Sequence, residues 1–177
     1  MATTTLVTVQ EFARMPEPPG QRIELIGGEV VTLGRGKFVH EAVKANLILL
    51  LAGWLSRNPI ARLFAETMYQ FDELTALIPD ISVVALDSTA PGGDWMQGGP
   101  EIAIEVVSSE TAATLERKIE LYLAQGSKSA WVIFPEQRVV WIHKPGTARM
   151  LTEHDTLEDP TVLPGFSAPV SSLFEGI

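Results

Sequence analysis

The chain has 177 residues, 46% of them hydrophobic and 20% charged, a composition that fits one globular domain and excludes wholesale disorder. It carries no cysteine, so disulfides, thiolate nucleophiles and cysteine-bound zinc or iron–sulfur sites are excluded together. A net charge of −9 argues against a broad basic face for nucleic acid, yet leaves room for a local basic rim around an acidic site.

The first residues show neither the basic start nor the apolar run of a signal peptide. The apolar stretch 47–55 is too short to span a bilayer, so a cytoplasmic protein with no membrane contact is expected. Thr8 is placed to cap a short helix over 9–15, which the proline-rich segment 16–20 stops. Gly27-Gly28, between the runs 22–26 and 29–33, predicts a tight hairpin. Residues 38–57 read as one helix, with Val39, Val43, Leu47, Leu50, Leu51 and Trp54 on one stripe and Ile48, Leu49 and Leu55 widening it. Such a helix is either central or buried at a subunit contact.

Strands are predicted over 61–65, 68–71, 80–86 and 102–107, with a Pro- and Gly-rich surface loop at 87–99. Ser109 or Thr111 can cap a helix reaching residue 125, and Gly126 is placed to end it. Strands return at 129–134, 138–143 and 148–151, and the proline-punctuated segment 162–174 drapes over the core. The expectation is a single mixed α/β (α+β) domain over 1–177 built on one sheet. Residues 1–20 form its entry helix and loop, and 160–177 its packed tail.

Two acidic residues stand out. Asp80 follows Pro79 at the head of an apolar run, and Glu105 lies within the most apolar predicted strand. A carboxylate among β-branched neighbours is costly to bury without a partner. Two on neighbouring strands repel each other unless positive charge lies between them. A divalent cation meets that need. Asp80, Glu105 and the backbone carbonyl of Val106 offer the hard oxygen ligands that suit Mg2+ or Mn2+. A bound cation lowers the pKa of its water and offsets charge growing on a phosphate, while a nearby lysine can orient the attacking water. Together these make the minimal kit of a metal-dependent phosphodiesterase.

Five stretches in chain order extend that reading: Glu24-Leu25-Ile26-Gly27-Gly28-Glu29; His40 opening the long helix; Pro79-Asp80-Ile81-Ser82-Val83-Val84; Pro100 to Ser108 followed by Lys118 and Tyr122; and Ser129 to Pro135 with Val162-Leu163-Pro164-Gly165-Phe166. In these the chain resembles the Uma-two family of restriction endonuclease-like proteins, a branch of the PD-(D/E)XK nuclease-like superfamily. The resemblance implies a restriction-endonuclease-like mixed β-sheet core flanked by helices, with Asp80 and Glu105 as metal ligands and Glu24 facing the same site. The superfamily motif would put a lysine two residues past Glu105, where this chain has Val107. In the family that lysine is moved to the following helix, which here offers Lys118, at the edge of the inward face beside Leu115, Ile119 and Tyr122. A basic residue often found just before the Pro-Asp pair is replaced by Ala76-Leu77-Ile78.

Each residue also has a plainer reading. Asp80 can be a strand-start turn residue and Glu105 half of a buried ion pair with Lys118 or an arginine. Lys118 can snorkel to solvent, and Glu24 can be a solvated hairpin position. His40 either lines the cleft or bonds a loop at its helix start, while Tyr122 and Trp131 read as core or rim aromatics. The expected function is a Mg2+- or Mn2+-dependent endonuclease cutting phosphodiester bonds in DNA. Asp80 and Glu105 hold the metal, Lys118 assists the water, and Glu24 and His40 shape the pocket. The alternative is a catalytically inactive module of the same fold, acting as a dimeric binding or regulatory protein. A homodimer is expected on either reading, because the apolar helix offers a surface.

Overall fold

The computed structural model describes residues 6–34, 36–88 and 94–177. A short helix α1 (Val9–Phe12) opens it, held by a capping box between Thr8 and Glu11, and buries Val9 and Phe12. The hairpin follows as β1 (Gln21–Ile26) and β2 (Glu29–Gly34). Its turn residues Gly27 and Gly28 sit at φ 61° and 81°, a left-handed pair that other residues adopt only with strain. Helix α2 (Phe38–Leu55) leads to strands β3 (Ala61–Ala65), β4 (Tyr69–Asp72), β5 (Thr75–Leu77) and β6 (Ile81–Ala85). Strands β7 (Met96–Gln97) and β8 (Ile102–Val106) precede helix α3 (Ala112–Ala124). Thr111, not Ser109, caps α3, and Gly126 at φ 98° lies just past its end. The chain finishes with β9 (Ser129–Phe134), β10 (Val139–Lys144), β11 (Thr147–Thr152), β12 (Thr156–Leu157), β13 (Ala168–Pro169) and a 3-10 turn over Val170–Phe174.

The domain is a mixed α+β fold, but the single sheet expected from the sequence is corrected to two principal sheets and a two-stranded ribbon. One sheet runs β2-β1-β5-β4-β7, the other β11-β10-β9-β8-β6-β3, and β12 pairs with β13. The split arises at Ile78-Pro79-Asp80, between β5 in the first sheet and β6 in the second, so the two are consecutive without pairing. Proline cannot donate to a ladder, which makes Pro79 a natural exit point. Strand β5 lies in the stretch 72–79, to which the sequence assigns no element, and β7 lies inside the predicted loop 87–99, of which 89–93 lie outside the described residues.

The second sheet carries the main core. On one face Ile81, Val83, Ile102, Ile104, Val106, Trp131 and Ile133 meet Val43, Leu47, Leu51 and Leu55 of α2 and the closing segment through Phe174. As a whole helix, α2 is 18 residues long with a mean hydropathy of 1.4, enough to cross a membrane by length and composition. The shorter apolar stretch read from the sequence understated that. In the fold its inner stripe is Val43, Leu47, Leu51 and Leu55 with Leu50 and Trp54 at the edge, whereas Val39, expected on that stripe, is exposed in the first turn of the helix. On the opposite face, Ala103 joins Ile26 and Leu77 of the first sheet and Tyr122 of α3 in a small cluster. The two sheets and α3 therefore converge at one place, and the side chains of interest are there.

Candidate active site

Period-two alternation decides what β8 presents. Ile102, Ile104 and Val106 fill the core on the α2 side, so Ala103 and Glu105 must point to the opposite face. Glu105 is 3% exposed there. On β1, Ile23 and Leu25 pack with Val9 and Phe12, which turns Glu24 inward to 2% exposure rather than toward solvent. Asp80, between the two sheets, is also 2% exposed. Three carboxylates from three different segments thus share one buried region.

Lys118 bridges two of them. Its Nζ lies 2.9 Å from Oε1 of Glu105 and 3.0 Å from Oε1 of Glu24, with the side chain 1% exposed. The lysine does not snorkel, because the buried stripe of α3 is Leu115, Lys118 and Tyr122, aimed at the sheet. Tyr122 donates its hydroxyl to Glu105 Oε1 at 2.6 Å, and the Ile78 N–H donates to Glu24 Oε1 at 3.0 Å. Glu24 Oε2 is buried and, among the described residues, has no hydrogen-bond partner. An orphaned carboxylate oxygen in such a place is an open acceptor.

Asp80 has a separate set of partners. Arg22 Nη1 reaches Oδ1 at 2.9 Å, and Oδ2 accepts the Val106 N–H at 2.8 Å and lies 3.1 Å from His40 Nε2. The carbonyl of Val106 projects from the same edge of the strand as its N–H, because a strand residue sends both groups the same way. That edge is open to Asp80 because pairing of β8 with β6 stops at Ile104 opposite Ile81.

The electrostatics follow from burial and partners. Burial pushes the Asp80 carboxyl up, but the bond and charge of His40, the Val106 N–H and Arg22 outweigh it and hold the group at about 2. Glu105 moves the other way. Burial raises it, Lys118 opposes, and the charges of Glu24 and Asp80 raise it further. Lys118 is kept protonated despite burial by Glu105 and Glu24. His40 is likewise raised, its desolvation overcome by Asp80 and Glu41. The raised Glu105 reflects first its burial and then the two neighbouring carboxylates.

The structure brings Glu24, His40, Asp80, Glu105, Val106 and Lys118 into this one region. The sequence reading left out Arg22, whose place two residues before Glu24 puts it on the same face of β1. It also passed over Lys44, one helical turn after His40, and undervalued Tyr122, one turn after Lys118. Those spacings were the available signals.

Two packed sheets with a carboxylate and lysine cluster at their junction define the class, a single domain of the restriction-endonuclease-like fold. The Uma2 family model, described as "Putative restriction endonuclease", matches residues 9–171, and the chain belongs to that family. Among solved structures, it is similar to a crystal structure from Anabaena variabilis ATCC 29413 described as a "putative nuclease belonging to DUF820". The TM-score is 0.81 at 21% identity, covering 95% of this chain and 97% of the other, a likeness of fold. Curated proteins give no match.

Proposed function

We propose that the protein is a Mg2+- or Mn2+-dependent endonuclease that hydrolyses phosphodiester bonds in DNA. The observation that carries this reading is the buried pairing of Glu24 and Glu105 through Lys118, with Asp80 buried in the same region on its own donors, in a chain of the Uma2 family. Among the described residues, no three His, Asp or Glu side chains form a ready-made metal centre. The donor set nonetheless fits Mg2+, which keeps several waters and takes only one or two carboxylates from the protein. The unpartnered, buried Oε2 of Glu24 beside this donor set supports the fit.

Asp80 and Glu105, with the Val106 carbonyl, would hold the cation. When bound, it supplies an activated water and neutralises charge on the phosphate. Lys118 brings a fixed positive charge to the carboxylates and can orient a water, a role the superfamily gives to the position held here by Val107. Glu24 anchors that lysine, and Tyr122 fixes the rotamer of Glu105. His40 and Arg22 hold Asp80 ionised.

The test is nicking of supercoiled plasmid with Mg2+ or Mn2+, with wild type beside Asp80→Ala. Activity confined to wild type is expected, with circular dichroism unchanged in the variant. Equal cleavage by both removes Asp80 from the site. The second reading, an inactive binding or regulatory module, is favoured by the internal pairing of Asp80, which already meets three donors. A Mn2+ titration separates the two. Specific binding lost in Glu105→Gln supports the enzyme, and no binding at millimolar metal supports the module. We further infer a homodimer formed through the outer face of α2, where Phe38 is 76% and Leu49 71% exposed.

A further inference from the structure

A protein with a net charge of −9 that acts on nucleic acid must hold phosphate through a few well-placed cations. Two such cations meet at the edge of the site. Arg22 Nη1 lies 3.8 Å and Lys44 Nζ 2.7 Å from the same oxygen, Oε1 of Glu66. Both are anchored: Arg22 by Asp80 at 2.9 Å and by a longer contact to the Ile78 carbonyl at 3.5 Å, Lys44 by Glu41 at 2.9 Å. Their stems are largely covered, with side-chain exposures of 19% and 10%. The Glu66 side chain is 49% exposed.

Glu66 itself is held unusually. It follows the end of β3 at φ 52°, in the left-handed region that glutamate seldom occupies. Its N–H is tied to the carbonyl of Asp80 at 3.3 Å, which fixes the backbone beside the site. Strain of this kind persists where the surroundings over-determine it, and it concentrates at ligand sites. The result is an anionic oxygen set between a guanidinium and an ammonium, next to Asp80. A phosphodiester oxygen needs that same environment.

We propose that Arg22 and Lys44 are the phosphate-binding pair of this site for the nucleic-acid backbone, and that Glu66 occupies the phosphate position in the free protein. This rests on the nuclease reading above. Among the described residues, Asp80 and Ile78 account for two of the five guanidinium N–H donors of Arg22. Glu66, with its side chain 49% exposed, meets the covered Lys44 from the solvent side, so an incoming phosphate can reach the ammonium and displace the carboxylate.

The test is fluorescence anisotropy of labelled double-stranded DNA with Ca2+ present, read for wild type, Lys44→Gln and Glu66→Gln as salt is raised. Lys44→Gln is expected to weaken binding several-fold and lower the salt slope by about 1. Glu66→Gln is expected to tighten binding several-fold, because the competing carboxylate is gone. A purely structural ion pair predicts the opposite sign, since losing it loosens the edge of the site. Melting curves confirm that each variant is folded, and Glu66→Gln decides alone if Lys44→Gln is not. Wild type that binds while a folded Glu66→Gln binds equally or more weakly overturns the phosphate pair and leaves the nuclease reading. Wild type that neither binds nor nicks DNA overturns both.

Discussion

Tyr122 lies where water cannot reach, and its hydroxyl is one of two donors on Glu105 Oε1, Lys118 being the other. Replacing it with phenylalanine removes a hydrogen bond to a charged acceptor, a loss of about 1.5–3 kcal/mol. Tyr122→Phe is therefore expected to lower the unfolding free energy from urea denaturation by that amount and shift the midpoint down, and an unchanged midpoint would show the bond contributes nothing. The chain has two tyrosines, and both resist ionisation. Burial, partly offset by the bond to Ser82, lifts Tyr69 to about 12, and burial with Glu105 and Glu24 lifts Tyr122 well above its ordinary value of 10. A group raised in the fold contributes stability that is intact below its unfolded pKa and lost as pH climbs through the folded one. Between pH 10 and about 12 the unfolded chain gives up these protons first, so alkali favours unfolding. A near-ultraviolet titration should show little tyrosinate at pH 10, then a cooperative rise together with loss of circular dichroism. Free ionisation of either tyrosine near pH 10 would contradict the burial described here.

Elements were legible in proportion to how locally they are determined. The hairpin, both long helices with the Gly126 stop, and strands β3 and β9 follow from periodicity and turn chemistry within a short window. Strands β5 and β7, of three and two residues, are too short to show a period and exist because neighbours supply their ladders. The hairpin turn also binds the segment before it. Gly28 accepts from the Val7 N–H at 3.0 Å, and a Cβ there would lie 2.7 Å from Cβ of Leu6. Gly28→Ala combines that contact with a left-handed backbone and is expected to cost about 1–2 kcal/mol. A denaturant midpoint unchanged by the substitution would refute it. Truncation of Leu47, fully buried between α2 and the sheet, to alanine should cost about 2–5 kcal/mol by leaving a cavity.

At the scale of the molecule, the site exists only because two sheets meet. Glu24 comes from the first sheet, Glu105 from the second, Asp80 from the crossing between them and Lys118 from α3. The two sheets close over the site, while the outer face of α2 stays exposed at Phe38, Val39 and Leu49. Light scattering is expected to report twice the chain mass of 19.3 kDa, and a particle of 19.3 kDa would overturn the dimer.

The sequence by itself determined the longer elements and singled out Asp80 and Glu105, while Lys118 entered through the family resemblance. The two carboxylates depend on residue type and spacing: a proline before Asp80 and an apolar strand around Glu105. Only the tertiary structure decided who meets whom. It paired Lys118 with both Glu24 and Glu105, turned Glu24 inward and gave Asp80 to Arg22, His40 and the Val106 N–H. It also set Glu66 between Arg22 and Lys44. Those contacts join residues that are mostly tens of positions apart, and the free energy that selects among them comes from burying the two sheets and α3 against one another. A local pattern of residues carries no record of that burial.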